Sequence, residues 1–223
     1  TRLWLAIMGE PLMDKNIIPR IRYAHNQGAR RVHLNTNGTF LEGKLAEELL
    51  HSGVESVYVA IDAAKEETFN KVRPGGDFNR VKRNLENFLK LRAKTQGKGP
   101  EIVAQFIVMD ENAAEIDQFH DYWLEQGAVV KLRLRQGWGQ EISTPDLDKI
   151  AMKRIPCPWL VRTMNVHWTG HVTQCDPDYE EHYAAGDLNN QSVKEVWDGE
   201  LAVRRERHWT GDYSHPLCVD CKD

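Results

Sequence analysis

Between Leu3 and about Gln136, five short apolar runs alternate with amphipathic segments, and that alternation leaves few folds open. The runs are "LWLAIM" (from Leu3), "RRVHLNTNG" (from Arg30), "VESVYVAIDA" (from Val54), "EIVAQFIVM" (from Glu101) and "AVVKLRLRQ" (from Ala128). The segments between them carry helical stripes: Leu41, Leu45 and Leu49 share one face, and Val81, Leu85, Phe88 and Leu89 another. "NIIPRIRYAHNQG" reads as a helix ended by Gly28, with Pro19 tolerable near its first turn. Strands joined through helices must pair in parallel by right-handed crossovers, so this part is α/β with helices outside a parallel sheet. In such sheets ligands gather beyond the carboxyl ends of the strands. There the apolar runs give way to "MGEP" (Met8 to Pro11), "NTNG" (Asn35 to Gly38), "AIDA" (Ala60 to Ala63) and "RQGWG" (Arg135 to Gly139), four edges of one rim.

After "QGWGQEISTPDLDK" the alternation stops, and its Gly, Ser, Thr and Pro content marks a linker. The boundaries expected are residues 1–140 for the α/β part, 141–155 for the linker and 156–223 for a small C-terminal domain. In the last of these, "TMNVHWTGHVTQC" reads as a hairpin turning at Thr169 and Gly170, and "SVKEVWDGELAVRRERHW" as one helix. So loop-rich a stretch makes a marginal core and calls for a staple.

The staple candidates are Cys157, Cys175, Cys218 and Cys221, spaced C-x17-C-x42-C-x2-C. Four thiolates suit either zinc or an iron–sulfur cluster, and spacing does not choose between them. Paired disulfides would require an oxidising compartment, and four cysteines in 223 residues, all in the last third, are too thin for a secreted scaffold. His167, His171, His182, His208 and His215 crowd the same region as alternative zinc ligands, and Trp159, Trp168, Trp197 and Trp209 read as packing around the site. A net charge of -4 with scattered basic residues gives no field that would gather nucleic acid or anionic lipid. No apolar run approaches the roughly 20 residues of a membrane-spanning helix. The expectation is a cytoplasmic protein with neither nucleic acid nor membrane as partner. The chain enters a β-branched and aromatic run at once, so a preceding segment is expected.

The C-terminal stretch carries Cys157-Pro158, a glycine turn before Cys175, Asp176, Gly186-Asp187-Leu188, and Ser192 with Glu195-Val196-Trp197. It continues with Arg204, His208, Gly211 and Pro216 before Cys218 and Cys221. In these features it resembles the SPASM auxiliary-cluster region of radical S-adenosylmethionine enzymes. Upstream, "GEPL", "NTNGT" and "VAIDAAKEETFNKVRPGGDF" follow the first three strands as in the same family. The resemblance implies a partial (β/α)6 TIM-like barrel whose first βα unit is missing, followed by a small cysteine-rich SPASM domain.

For chemistry, the likeness implies an enzyme that reductively cleaves S-adenosylmethionine and abstracts a hydrogen atom from a peptide or small polar metabolite. Its electrons would come from a donor such as a flavodoxin or ferredoxin. It implies one 4Fe-4S cluster on the four cysteines here and another on a C-x3-C-x2-C loop that this sequence lacks, so the chain alone should not cleave the cofactor. Gly9, Glu10 and Pro11 match the segment meeting the methionine ammonium, although Met8 stands where the family has a first glycine. Thr36 and Asn37 lie on the next edge. Asp62 matches a position of the third, while Ala60 replaces a serine that contacts ribose in many members. Arg73 is a candidate for the cofactor carboxylate, and Gln105 and Arg133 are candidates for the barrel interior. Simpler readings stand beside these: a plain turn for Gly9 to Pro11, a helix N-cap for Asp62, a solvated turn residue for Arg73. The competing function is a non-catalytic α/β module with a structural zinc site and a partner-binding role.

Overall fold

A computed structural model describes residues 1–137 and 154–221. The linker expected over 141–155 therefore lies outside the described residues, apart from Arg154 and Ile155. The chain divides into two compact units, Thr1–Arg135 and Gln136–Asp223.

In the first unit the elements run β1 (Arg2–Leu5), α1 (Ile17–Asn26), β2 (Arg31–Thr36), α2 (Gly43–Leu50), β3 (Ser56–Ala60), α3 (Glu66–Val72), α4 (Phe78–Ala93), β4 (Glu101–Val108), α5 (Ile116–Glu125) and β5 (Val129–Leu134). The five strands form one sheet in the order β1-β2-β3-β4-β5, and every neighbouring pair is parallel. Pro19 falls third in α1, where its missing N–H is one that the helix could not have paired.

Alternation along each strand separates two faces. Val32, Leu34, Val57, Val59, Ile102, Ala104 and Phe106 point to one side and form a single core with the apolar stripes of the helices, including Leu49, Leu85, Phe88 and Phe119. That core lies wholly on the helix side, as sequential right-handed crossovers require. The residues between them, among them Trp4, His33, Asn35, Tyr58, Gln105, Lys131 and Arg133, share the other face of the sheet.

Gly38 shows how tightly the rim joins this core. Its φ is +78°, and a Cβ there would lie 2.9 Å from Val59 Cγ1 and 3.0 Å from Val81 Cγ1. Gly38→Ala should therefore cost about 3 kcal/mol, since a left-handed alanine costs roughly 1–2 kcal/mol and overpacking against the valine pair roughly 1–3 kcal/mol. A urea titration with an unchanged midpoint would contradict this.

The second unit contains α6 (Pro158–Arg162), β6 (Asn165–Val166), β7 (His171–Thr173), β8 (Gly186–Asp187), α7 (Val193–Asp198) and α8 (Glu200–Trp209). The strands pair antiparallel in the order β6-β7-β8. The hairpin turns where the sequence places it, with Gly170 N–H donating to His167 O. The single helix expected from Ser192 to Trp209 is instead two. Gly199, at φ -88° and ψ -123°, leaves the helical region, and a Cβ on it would lie 2.7 Å from Glu195 O. Glycine thus permits a break that a larger residue would obstruct. Ser192 and Glu195 close a capping box at the start of α7. Only Leu160, Val172, Ala185, Val196 and Leu201 form the buried apolar cluster among the described residues of this unit. Among the described residues no helix is long and apolar enough to cross a membrane.

Candidate functional site

The carboxyl ends of β1 and β2 are tied together by one carboxylate. Glu10 Oε1 accepts from the Leu12 amide at 3.0 Å and from Thr36 Oγ1 at 2.7 Å, and its Oε2 accepts from the Asn37 amide at 2.7 Å. Glu10 also caps a short 3-10 turn that Pro11 opens. The Thr36 hydroxyl is occupied on both sides, since it also accepts from the Gly38 amide at 3.0 Å. Of the sequence candidates on these edges, Glu10 and Thr36 hold the rim together. Gly9 presents bare backbone beside them: its φ is +85° and no atom lies within 4 Å of where a Cβ would stand. A ligand can approach the main chain there without meeting a side chain. Asn37 turns its side chain back to the Thr39 amide at 2.9 Å.

The third edge differs from both simpler sequence readings. Asp62 is not a helix cap. It is buried in the left-handed region at φ +62°, with Oδ1 accepting from the Ile107 amide at 2.7 Å and Oδ2 from Arg73 Nε at 2.9 Å. Arg73 is correspondingly not a solvated turn residue, because the Nε edge of its guanidinium already holds a carboxylate. The loop leading into α3 is instead held from fifty residues away. Glu115 Oε2 accepts from the Ala64 and Lys65 amides at 2.8 and 3.2 Å, and Oε1 from Thr68 Oγ1 at 2.6 Å. Asn112, fully buried, donates to the carbonyls of Asp62 at 2.8 Å and Ile107 at 2.9 Å. Neither Glu115 nor Asn112 carries a sequence signal, since their partners are all distant in the chain or on the backbone.

On the face of the sheet away from the helices, Trp4 stacks on His33 at 4.4 Å between ring centroids and lies 5.1 Å from Tyr58. Lys131 Nζ sits 4.8 Å from the Tyr58 centroid. Burial, and then the positive charge of Arg133, lower the Lys131 pKa. Gln105 pairs in register with Ala60 on one side and Lys131 on the other, and Arg133 with Ile107. Three buried polar atoms of this face have no hydrogen-bond partner: His33 Nε2, Asn35 Oδ1 and Gln105 Oε1. His33 uses its other nitrogen on Ser56 Oγ at 2.6 Å, and burial lowers its pKa, so the ring is held neutral. Buried polar atoms normally find partners, so three without them on one face mark where a polar ligand would be received.

In the second unit no disulfide joins the four cysteines. Burial pushes the Cys175 thiol strongly up, and the fields of Cys218, Cys221 and Cys157 add to it in that order, so the four are electrostatic neighbours. Among the described residues no set of three or more His, Cys, Asp and Glu side chains could hold a single metal ion.

Four of the five histidines named from the sequence make contacts of their own. His208 Nδ1 accepts from the Cys157 amide at 3.3 Å, burial keeping the ring neutral, and His215 O accepts from the Cys218 amide at 2.7 Å. His167 and His171 both face Glu181. The expected tryptophan packing is also corrected: Trp168 at the hairpin tip is 96 % exposed and Trp209 66 %, while Trp197 packs against the small core. The tip and helix end leave these rings nothing to bury against. Sequence reasoning also missed Gln174, whose Nε2 donates to Cys218 Sγ at 3.1 Å.

Comparison with known proteins places these features. Relatives include a probable GTP 3',8-cyclase of Methanococcus vannielii, 31% identical over 124 residues, and one of Methanothermobacter marburgensis, 30% identical over 124 residues. Each match takes in 56% of this chain, which spans 39% of the relatives' length. Among solved structures, BtrN in complex with AdoMet and 2-DOIA superposes with a TM-score of 0.62 at 16% identity, over 100% of this chain and 72% of BtrN. SuiB of Streptococcus suis bound to S-adenosylmethionine gives 0.59 at 13% identity, over 88% of this chain and 55% of SuiB. At such identities the likeness speaks for the fold. The description "Radical SAM superfamily" matches residues 2–122, and "Iron-sulfur cluster-binding domain", SPASM, matches residues 157–222. The chain belongs to the radical SAM superfamily and carries a SPASM iron–sulfur cluster-binding domain at its C-terminal end.

Proposed function

We propose that the protein containing this chain is a radical SAM/SPASM enzyme that reductively cleaves S-adenosylmethionine and abstracts a hydrogen atom from a peptide or small polar metabolite. The observation that carries the reading is the sheet face with three unpartnered buried polar atoms, His33 Nε2, Asn35 Oδ1 and Gln105 Oε1, together with the bare backbone of Gly9 in the loop after β1. The methionine ammonium and the adenine amino group of S-adenosylmethionine are rich in donors, and the unfilled amide oxygens of Asn35 and Gln105 fit them. When bound, the cofactor supplies a 5′-deoxyadenosyl radical. The chain's own residues do the positioning. Gly9, Glu10 and Pro11 shape the first edge, with Glu10 also fixing Thr36 and Asn37. Asp62 and Arg73 brace the third edge as a pair, so Arg73 acts through Asp62 and leaves the ligand carboxylate to Arg133. Gln105 and Arg133 face the ligand.

Cys157, Cys175, Cys218 and Cys221 are proposed to hold a 4Fe-4S cluster. Four thiol ligands leave no iron open, so this cluster serves electron transfer or structure. A partner of the flavodoxin or ferredoxin class would deliver electrons in the cytoplasm. Residues 1–140 form the barrel part, 141–155 the linker and 156–223 the cluster domain in this scheme. The GTP 3',8-cyclase likeness takes in 56% of this chain and 39% of those relatives, and so does not by itself point to GTP. SuiB is solved with its precursor peptide SuiA, which fits the peptide alternative.

The test is anaerobic expression and reconstitution of the full-length protein. The expected result is a brown protein with about four irons and four sulfides attributable to the C-terminal cysteines, and 5′-deoxyadenosine on addition of reductant and S-adenosylmethionine. A colourless protein with one zinc per chain and no 5′-deoxyadenosine would establish the non-catalytic module instead.

A further inference from the structure

Gln174 immediately precedes Cys175 at the end of β7 and is 2 % exposed. Its Nε2 donates to Cys218 Sγ at 3.1 Å, and its Oε1 accepts from Arg204 Nη1 at 3.1 Å. These two contacts fix which way the amide points. A guanidinium only donates, so it must meet the amide oxygen, and the NH2 group is left to face the sulfur. Arg204 is held in turn, buried on α8, with Nη1 also donating to Tyr183 O at 2.9 Å and Nε to Glu200 Oε1 at 2.9 Å. Glu200 lies on the outer side of this chain of bonds with its side chain 49 % exposed, so its charge is the better screened of the two.

We propose that Gln174, oriented by Arg204, is a tuning residue for the C-terminal cluster: its amide N–H group donates to the Cys218 thiolate and raises the cluster's reduction potential. The inference rests on the reading that the four cysteines hold a 4Fe-4S cluster. The step concerned is a single one-electron reduction, the electron arriving from the flavodoxin or ferredoxin partner, with no bond formed or broken. Added negative charge spreads onto the ligand sulfurs, so a donor at a sulfur stabilises the reduced form more than the oxidised one. The bond is also shielded from water at both ends, where it acts in a low dielectric. Arg204 strengthens it by drawing charge toward the amide oxygen. Gln174 is thus a positioning and electrostatic residue, not a ligand.

The experiment compares full-length wild type with Gln174→Met and Gln174→Glu, by redox titration followed by electron paramagnetic resonance. The relevant signal is identified by its loss in Cys218→Ala. Methionine keeps the length and apolar bulk without the donor. It should retain iron and sulfide, while its reduction constant falls up to tenfold, which is about 59 mV for one electron. Glutamate turns an acceptor toward the sulfur and should lower the constant further. An unchanged midpoint at full iron content would overturn the proposal. If the methionine variant loses its cluster, wild type labelled with 15N in glutamine side chains decides: a nitrogen coupling to the reduced cluster supports the bond, and its absence overturns it. Wild type that holds no iron at this site overturns the four-cysteine reading itself, and this inference with it.

Discussion

Cys218→Ala should strip the iron from the C-terminal site and leave residues 157–221 without a fixed fold. Cys218 is the buried member of the set, at 9 % exposure, and its amide closes a turn on His215 O while its carbonyl accepts from the Cys221 amide. It thereby organises both members of the closing Cys-x2-Cys pair. The unit around it has little else to rely on. Its strands are two or three residues long, and five residues make up the buried apolar cluster seen among its described residues. Small domains of this kind draw much of their folding free energy from ligand bonds. Iron analysis should show that site's iron lost, and limited proteolysis should cut within the unit while the first unit stays protected. A variant with full iron content and an unchanged melting curve would show that apolar packing, not the thiolates, orders this region.

Asp62→Ala should destabilise the first unit about as much as Gly38→Ala. The side chain is 3 % exposed and satisfies the Ile107 amide and Arg73 together. Its removal leaves a part-buried N–H unpaired, at a cost of about 1–3 kcal/mol. It also puts alanine at φ +62°, where left-handed backbone costs a further 1–2 kcal/mol or so. Arg73 is 28 % exposed on its side chain, so water takes up part of its lost partner and the pair itself adds little more. The sum is about 3 kcal/mol. Asp62→Asn keeps an acceptor and a residue that tolerates the left-handed region, and should cost about 1 kcal/mol. Urea unfolding midpoints at constant m-value would resolve the two. Equal losses for alanine and asparagine would mean that charge pairing with Arg73, not backbone satisfaction, holds the edge.

The two kinds of residue in this edge show what a linear sequence can reveal. Asp62 and Arg73 are legible as polar interruptions after an apolar run, and the rim they occupy follows from strand–helix alternation. That they pair with each other is a fact of packing. Glu115 and Asn112 are less legible still. Each sits before an ordinary amphipathic helix, and nothing in that stretch shows that its side chain reaches the loop after β3. The division of Ser192 to Trp209 into two helices was hidden for a similar reason, because one glycine in a strongly helical run is a weak signal until its Cβ is seen to meet Glu195 O.

By itself the sequence determined the parallel α/β order, the positions of the rim, and the four thiols that a small domain would need. These follow from periodicity and residue type, which act over a few neighbours along the chain. Only the tertiary structure decided which polar groups are already satisfied and which are left without a partner: Glu10 on Thr36 and Asn37, Asp62 on Arg73, Gln174 between Cys218 and Arg204, and the unfilled acceptors of Asn35 and Gln105. Those partnerships span from 11 to 44 residues of chain, as Arg73 with Asp62 and Gln174 with Cys218 show. Hydrogen-bond partners at such separations are set by the packing of whole elements, and no local pattern encodes them.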